Sequence, residues 1–123
     1  MNEMLYQPVK TCVNYTDYRE VEDAQKQNLA RIEEIEKAAI ARGGLLHRFI
    51  YESVADGKSI YQIIKVNKKT VQVHLCPVDG LYSDYVVPYW GMRATIPIEY
   101  AEKSIRAQDT WRRIMEERGA PNV

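Results

Sequence analysis

Between Tyr18 and Arg42 the chain contains neither Gly nor Pro. Val21, Ala24, Leu29, Ile32, Ile35 and Ala39 recur at steps of three to five, while Glu33, Glu34, Glu36 and Lys37 fall between them. That spacing predicts an amphipathic helix, with the charged residues read as its solvated faces. Thr16 and Asp17 offer N-caps, and Asp17 with Glu20 has the spacing of a capping box. Gly43-Gly44 supplies the stop, because glycine enters the left-handed conformation that ends helices. The helix is expected over 17–42. Before it, Val9, Thr11 and Val13 alternate with Lys10 and Cys12, the period of a short strand.

The period then changes. Apolar runs at 45–54 and 59–66 flank Ala55-Asp56-Gly57-Lys58, and Asp56-Gly57 is a hairpin signal because both residues tolerate positive φ. A second hairpin is expected around Asn67-Lys68, followed by a strand over 69–76 that Pro77 ends. Two further short strands are expected at 85–89 and 93–97. A helical pattern returns over 98–118, with Ala101, Ile105, Trp111, Ile114 and Met115 as its apolar positions.

Counting outward from these turns gives registers. Asn67-Lys68 sets Ile64 opposite Val71, Gln62 opposite Val73, Ile60 opposite Leu75 and Tyr61 opposite His74. Asp56-Gly57 sets Phe49 opposite Ile64 and Ile50 opposite Ile63. Both faces of the central strand then carry large apolar groups, which a sheet with one wet face would not show. The fold expected is α+β in a single domain over 1–123. It consists of a long N-terminal helix, a five-stranded antiparallel SH3-like barrel or bent sheet over 45–97, and a C-terminal helix. A split sheet with helices is the alternative. No repeat or low-complexity segment interrupts it.

The stretch Tyr61-Gln62-Ile63-Ile64-Lys65-Val66-Asn67-Lys68-Lys69-Thr70-Val71-Gln72-Val73 resembles the central hairpin of small SH3-like barrels in phage and mobile-element proteins. Val86-Val87-Pro88-Tyr89 and Thr95-Ile96-Pro97-Ile98 resemble their closing strands. What this resemblance implies is a non-enzymatic binding module of phage or mobile-element origin. Such modules include nucleic-acid binders and inhibitors of host nucleases, among them anti-CRISPR proteins.

Composition narrows the classes. Seventeen basic and seventeen acidic residues give zero formal charge, which argues against a surface built wholly for nucleic acid. A hydrophobic content of 46% argues against a disordered chain. Nine Tyr against one Phe put polar tips on most rings, which suits half-buried faces and interfaces. No run approaches the roughly 18 apolar residues of a membrane helix. Residues 1–10 lack the basic and apolar regions of a signal peptide. Two cysteines in dissimilar settings fit reduced thiols, so a cytoplasmic protein is expected.

Candidate chemistry is sparse. The chain has no glycine-rich phosphate loop, no Gly-x-Ser-x-Gly elbow and no His-Glu-x-x-His, so no enzyme and no cofactor is expected. His74 and Cys76, with Cys12 and His47, would make a Cys2His2 set, the basis for a zinc-binding alternative. The spacing lacks a Cys-x-x-Cys knuckle, and Cys76 reads equally as a small buried apolar group. Residues 43–70 carry Arg48, Lys58, Lys65, Lys68 and Lys69 against Glu52 and Asp56, a net of plus three. Arg48 is expected beside Lys65, so this hairpin tip is a candidate phosphate contact, although lysines there also keep edges soluble. Tyr82, Tyr85, Tyr89 and Trp90 lie within nine residues, beside Asp79 and Asp84. Rigid rings next to acids are typical of protein interfaces, so Tyr82, Asp84, Tyr85 and Asp79 are the candidate partner-binding residues, with Tyr89 and Trp90 assigned to the core. The function expected is inhibition of a host protein, such as a nucleic-acid-guided nuclease, with direct nucleic-acid binding as the second choice and no membrane partner.

Overall fold

The computed structural model describes residues 4–10, 16–54, 57–78 and 93–119. Helix α1 (Tyr18–Arg42) is followed by strands β1 (Phe49–Val54), β2 (Gly57–Val66), β3 (Thr70–Leu75) and β4 (Arg93–Pro97), and by helix α2 (Ile98–Glu117). The four strands form one antiparallel sheet in the order β1-β2-β3-β4. Both helices sit at their expected places. The Asp17 carboxylate accepts the Arg19 N–H, and Gly43, at φ 89°, closes α1 by donating to Ala39 O and Ile40 O.

No closed barrel is seen among the described residues. Among the described residues β1 and β4 are the two edges of an open sheet and do not pair with each other. The sheet has no need to close on itself, because each of its faces is covered by a helix. The expected strand over 85–89 lies outside the described residues. The strand expected near Val9 is replaced at its start by irregular backbone, where the N–H groups of Val9 and Lys10 both donate to Asn28 Oδ1 at 2.8 and 3.0 Å.

The hairpins are where the pattern places them, but the registers differ. Val54 pairs with Gly57, so Gly57 belongs to β2 and Ile50 lies opposite Tyr61 instead of Ile63. That slip of two residues keeps every side chain on its expected face. The second hairpin slips by an odd number. Its turn spans Asn67–Thr70, with Asn67 N–H donating to Thr70 O at 2.8 Å, and the ladder shifts between Ile63 and Lys65. Past that shift Ile63 faces Val73 and Gln62 faces His74. A one-residue slip moves a strand's side chains to the opposite face. Here it brings Val71 and Val73 onto the face of Ile50 and Ile63, leaving His74 opposite Gln62 and away from Tyr61.

Two cores result. On one face Ile50, Ile63, Val71 and Val73 pack against Ala101 and Ile105 of α2. Ile50 and Ile63 are buried beneath that helix, as a sheet apolar on both faces requires. On the other face Phe49, Ile60 and Cys76 pack against Ile32 and Ile35 of α1 and against Tyr6, whose ring meets Phe49 edge-on at 6.4 Å.

Three side chains fasten the N-terminal segment to this second face. Gln62 accepts the Tyr6 N–H at 2.8 Å and donates to Met4 O and His47 O. Asn28 accepts from Val9 and Lys10 and donates to Lys10 O and Val78 O, which uses its full hydrogen-bonding capacity. Tyr6 Oη donates to Pro77 O at 2.6 Å.

Candidate partner-binding groove

Strand β1 begins in an unusual way. His47 has φ 72°, the left-handed region that few residues other than glycine enter, and its surroundings hold it there. Those surroundings are hydrogen bonds. His47 N–H donates to Ile63 O, its carbonyl accepts from Gln62 Nε2, and Arg42 Nη2 donates to its Nδ1 at 2.5 Å. Burial, and then the Arg42 charge, hold the His47 pKa below its ordinary value.

The distortion turns Arg48 inward. Arg48 is 4% exposed, so it is not a free contact beside Lys65 as the counted register suggested; Lys65 pairs with Gln72. Its guanidinium binds the Glu36 carboxylate through Nε and reaches Asp109 of α2 through Nη2 at 2.5 Å. Glu36 is fully buried, which corrects its reading as part of a solvated face. Its second oxygen accepts the outward N–H of Phe49 at 3.2 Å and a hydrogen bond from Gln108. The end of the β1 edge is thereby capped by a side chain. One turn away from Glu36 and Asp109, Arg112 forms a two-pronged pair with Glu33 at 2.9 and 3.1 Å, which holds the Glu33 carboxyl below its usual range. The two helices, which lie on opposite faces of the sheet, meet at the β1 edge through these five charges.

This junction leaves a groove of about 700 Å³ along α2. Ser104, Ala107, Gln108, Trp111, Met115 and Glu116 line it at helical spacing, and Tyr51 of β1 forms the facing wall. Sequence spacing assigned Trp111 to the buried stripe with Ala101 and Ile105. In the structure Trp111 is 60% exposed; here α2 runs beside the β1 edge, with Tyr51 across the groove and Arg112 reaching Glu33 of α1. The Tyr51 phenol is pushed up to about 12, first by desolvation and then by the nearby Glu36 carboxylate.

The residues singled out from sequence do not gather in one place. Asp79, Tyr82, Asp84 and Tyr85 lie outside the described residues, as do Tyr89 and Trp90. Lys65, Lys68 and Lys69 are exposed at or beside the second hairpin tip, with no ion pair among the described residues; the Lys58 side chain is not described. Of the alternative zinc set, Cys12 lies outside the described residues. Cys76 is buried beside Phe49 and Ile60, where desolvation pushes its thiol up and keeps it protonated and unreactive. Among the described residues no group of three or more His, Cys, Asp or Glu side chains is placed to hold a metal ion. Also among them, no helix is long and apolar enough to cross a membrane.

Two groups that sequence reasoning missed were within its reach. Asn28 and Glu36 sit at Ala24 plus four and Ile32 plus four, squarely on the stripe of Ala24, Ile32, Ile35 and Ala39. A polar residue at a stripe position signals a buried, partnered group. No family model matches this chain, and neither does any curated protein or solved structure.

Proposed function

We propose that the chain is a non-enzymatic binding protein that engages a partner protein through the groove between β1 and α2. The observation that carries this reading is Trp111. A large aromatic, 60% exposed, stands beside a groove whose framework is fixed by buried and bidentate ion pairs. Rigid, half-exposed aromatics set among polar groups are the anchors of protein interfaces. The test is a photoreactive side chain at position 111, used to capture a partner from bacterial lysate, followed by reconstitution with the purified partner. Trp111→Ala is expected to weaken the reconstituted complex by about thirtyfold or more, corresponding to about 2 kcal/mol, at an unchanged melting temperature. An undiminished affinity removes the groove from the reading. The more specific version suggested by the hairpin resemblance is an inhibitor of a host nuclease. It requires that the captured protein cleave nucleic acid and that this chain suppress the cleavage.

A second reading, direct nucleic-acid binding, is favoured by the exposed Lys65, Lys68 and Lys69, which have no ion pair among the described residues. It calls for a mobility shift that weakens steeply between two salt concentrations and is lost in the double variant Lys68→Ala, Lys69→Ala.

A further inference from the structure

We propose that the groove takes an arginine side chain from an apolar segment of the partner, with its guanidinium stacked on Trp111 and facing Glu116. This rests on the reading of the groove as a protein-binding surface and specifies the partner's chemistry. Charge is the first argument. The groove wall carries Arg112 and Glu116. The positive charge of Arg112 is already matched by both oxygens of Glu33, and behind it Glu36 and Asp109 share the single guanidinium of Arg48. Four carboxylates therefore stand against two guanidiniums, an excess of two negative charges. Lys37, which acts on Glu33, reduces the excess without reversing it. The phenol of Tyr51, on the facing wall, lies among the same charges: Glu36 raises its pKa, Arg112 lowers it and Glu33 raises it. Glu116 is exposed and has no cation at ion-pair distance among the described residues.

Shape is the second argument. The exposed indole of Trp111 offers a ring face to a cation, and a planar, weakly hydrated guanidinium stacks there better than an ammonium. Ala107 and Met115 supply an apolar floor for the methylene stem, which long basic side chains lay along such surfaces.

The experiment uses the full chain and follows its backbone amide signals by NMR, a readout that the Trp111 variant retains. It titrates an acetylated, amidated Leu-Arg-Leu-Leu peptide, its neutral citrulline form and its glutamate form. The arginine peptide is expected to bind about tenfold more tightly than the citrulline peptide, and the glutamate peptide more weakly than either. Glu116→Gln should narrow the preference for arginine over citrulline to about threefold, and Trp111→Ala should abolish saturable binding. Both variants alter exposed side chains, and thermal melting verifies their folding. Equal affinity for arginine and citrulline, or a preference unaltered by Glu116→Gln, overturns the proposal. If the reconstituted partner still depends on Trp111 in either case, the groove reading stands and only its arginine specificity falls.

Discussion

The two faces of the sheet each bury a cluster of hydrophobic side chains, but by different means. Under α2 the packed cluster is wholly apolar: Ile50, Ile63, Val71, Val73, Ala101 and Ile105. Under α1 the apolar cluster is interleaved with Asn28, Glu36 and Gln62, each essentially inaccessible and each hydrogen-bonded. An apolar face drives collapse but tolerates rearrangement, since one methyl-lined surface resembles another. A satisfied polar face accepts few alternatives, because any shift strands a donor or a charge in a dry site. The α2 face supplies driving force. The α1 face fixes where the N-terminal segment lies and where α2 meets α1 at the β1 edge, and so shapes the groove.

The strongest challenge to this comparison is Glu36→Ala. It leaves Arg48 buried with only the half-exposed Asp109 as counter-charge, and should cost about 3–5 kcal/mol in urea denaturation. The double variant Glu36→Leu, Arg48→Met removes the stranded charge and should recover much of that loss. If it does not, the pair supplies stability as well as position. On the apolar face Ile63→Ala should cost about 2–5 kcal/mol through lost burial and a cavity, while Ile63→Val should cost only about 0.5–1.5 kcal/mol. A polar-face residue admits no comparably mild change.

Asn28→Ala removes four part-buried hydrogen bonds to the backbone of Val9, Lys10 and Val78 and should cost about 1–3 kcal/mol. Its signature is local: hydrogen exchange at the Val9 and Lys10 amides should accelerate more than exchange in β2. Uniform acceleration would mean that Asn28 supports the whole fold and does not fasten one segment to it.

His74 gives a pH test of the same polar side. Desolvation, and then the Arg93 charge, lower its pKa below 6.5, and among the described residues its Nε2 is buried without a hydrogen-bond partner. The neutral ring is the folded form. Its contribution is therefore complete above pH 6.5, the ordinary value, and is lost as pH falls through the lowered folded value, because the unfolded chain takes up the proton first. Between pH 7.5 and pH 5 the wild-type urea midpoint should fall further than that of His74→Gln. Parallel falls would assign the dependence elsewhere, His47 having the same sign. The smallest effect is expected at Trp111, where replacement by Ala should change stability by no more than about 0.5 kcal/mol, because more than half the side chain is already in water.

The two faces also differ in how far they could be read in advance. The α2 face follows from alternation and helical spacing, and Ile50, Ile63, Ala101 and Ile105 occupy the roles their pattern gives them. The α1 face does not, because identity and placement conflict there. Glu36 has the composition of a solvated face and the position of a core residue, and only a guanidinium arriving from β1 resolves the conflict. The groove was harder still. Trp111 fits the buried stripe by type and nearly by spacing, and nothing local announces its exposure.

The sequence by itself determined the two helices and the Asp17 and Gly43 caps of α1, the two consecutive hairpins, the α+β class and the need to cover both faces of the central strand. These depend on residues within a few positions of one another, through dihedral preference and hydrophobic period. Tertiary structure decided that the four described strands form an open sheet, that the ladder slips at Ile64 to turn Val71 and Val73 toward α2, that Arg48 is buried and that Trp111 is exposed. Each of those outcomes balances long-range burial against the desolvation of a particular charge or backbone group. That balance is set by which distant partner arrives.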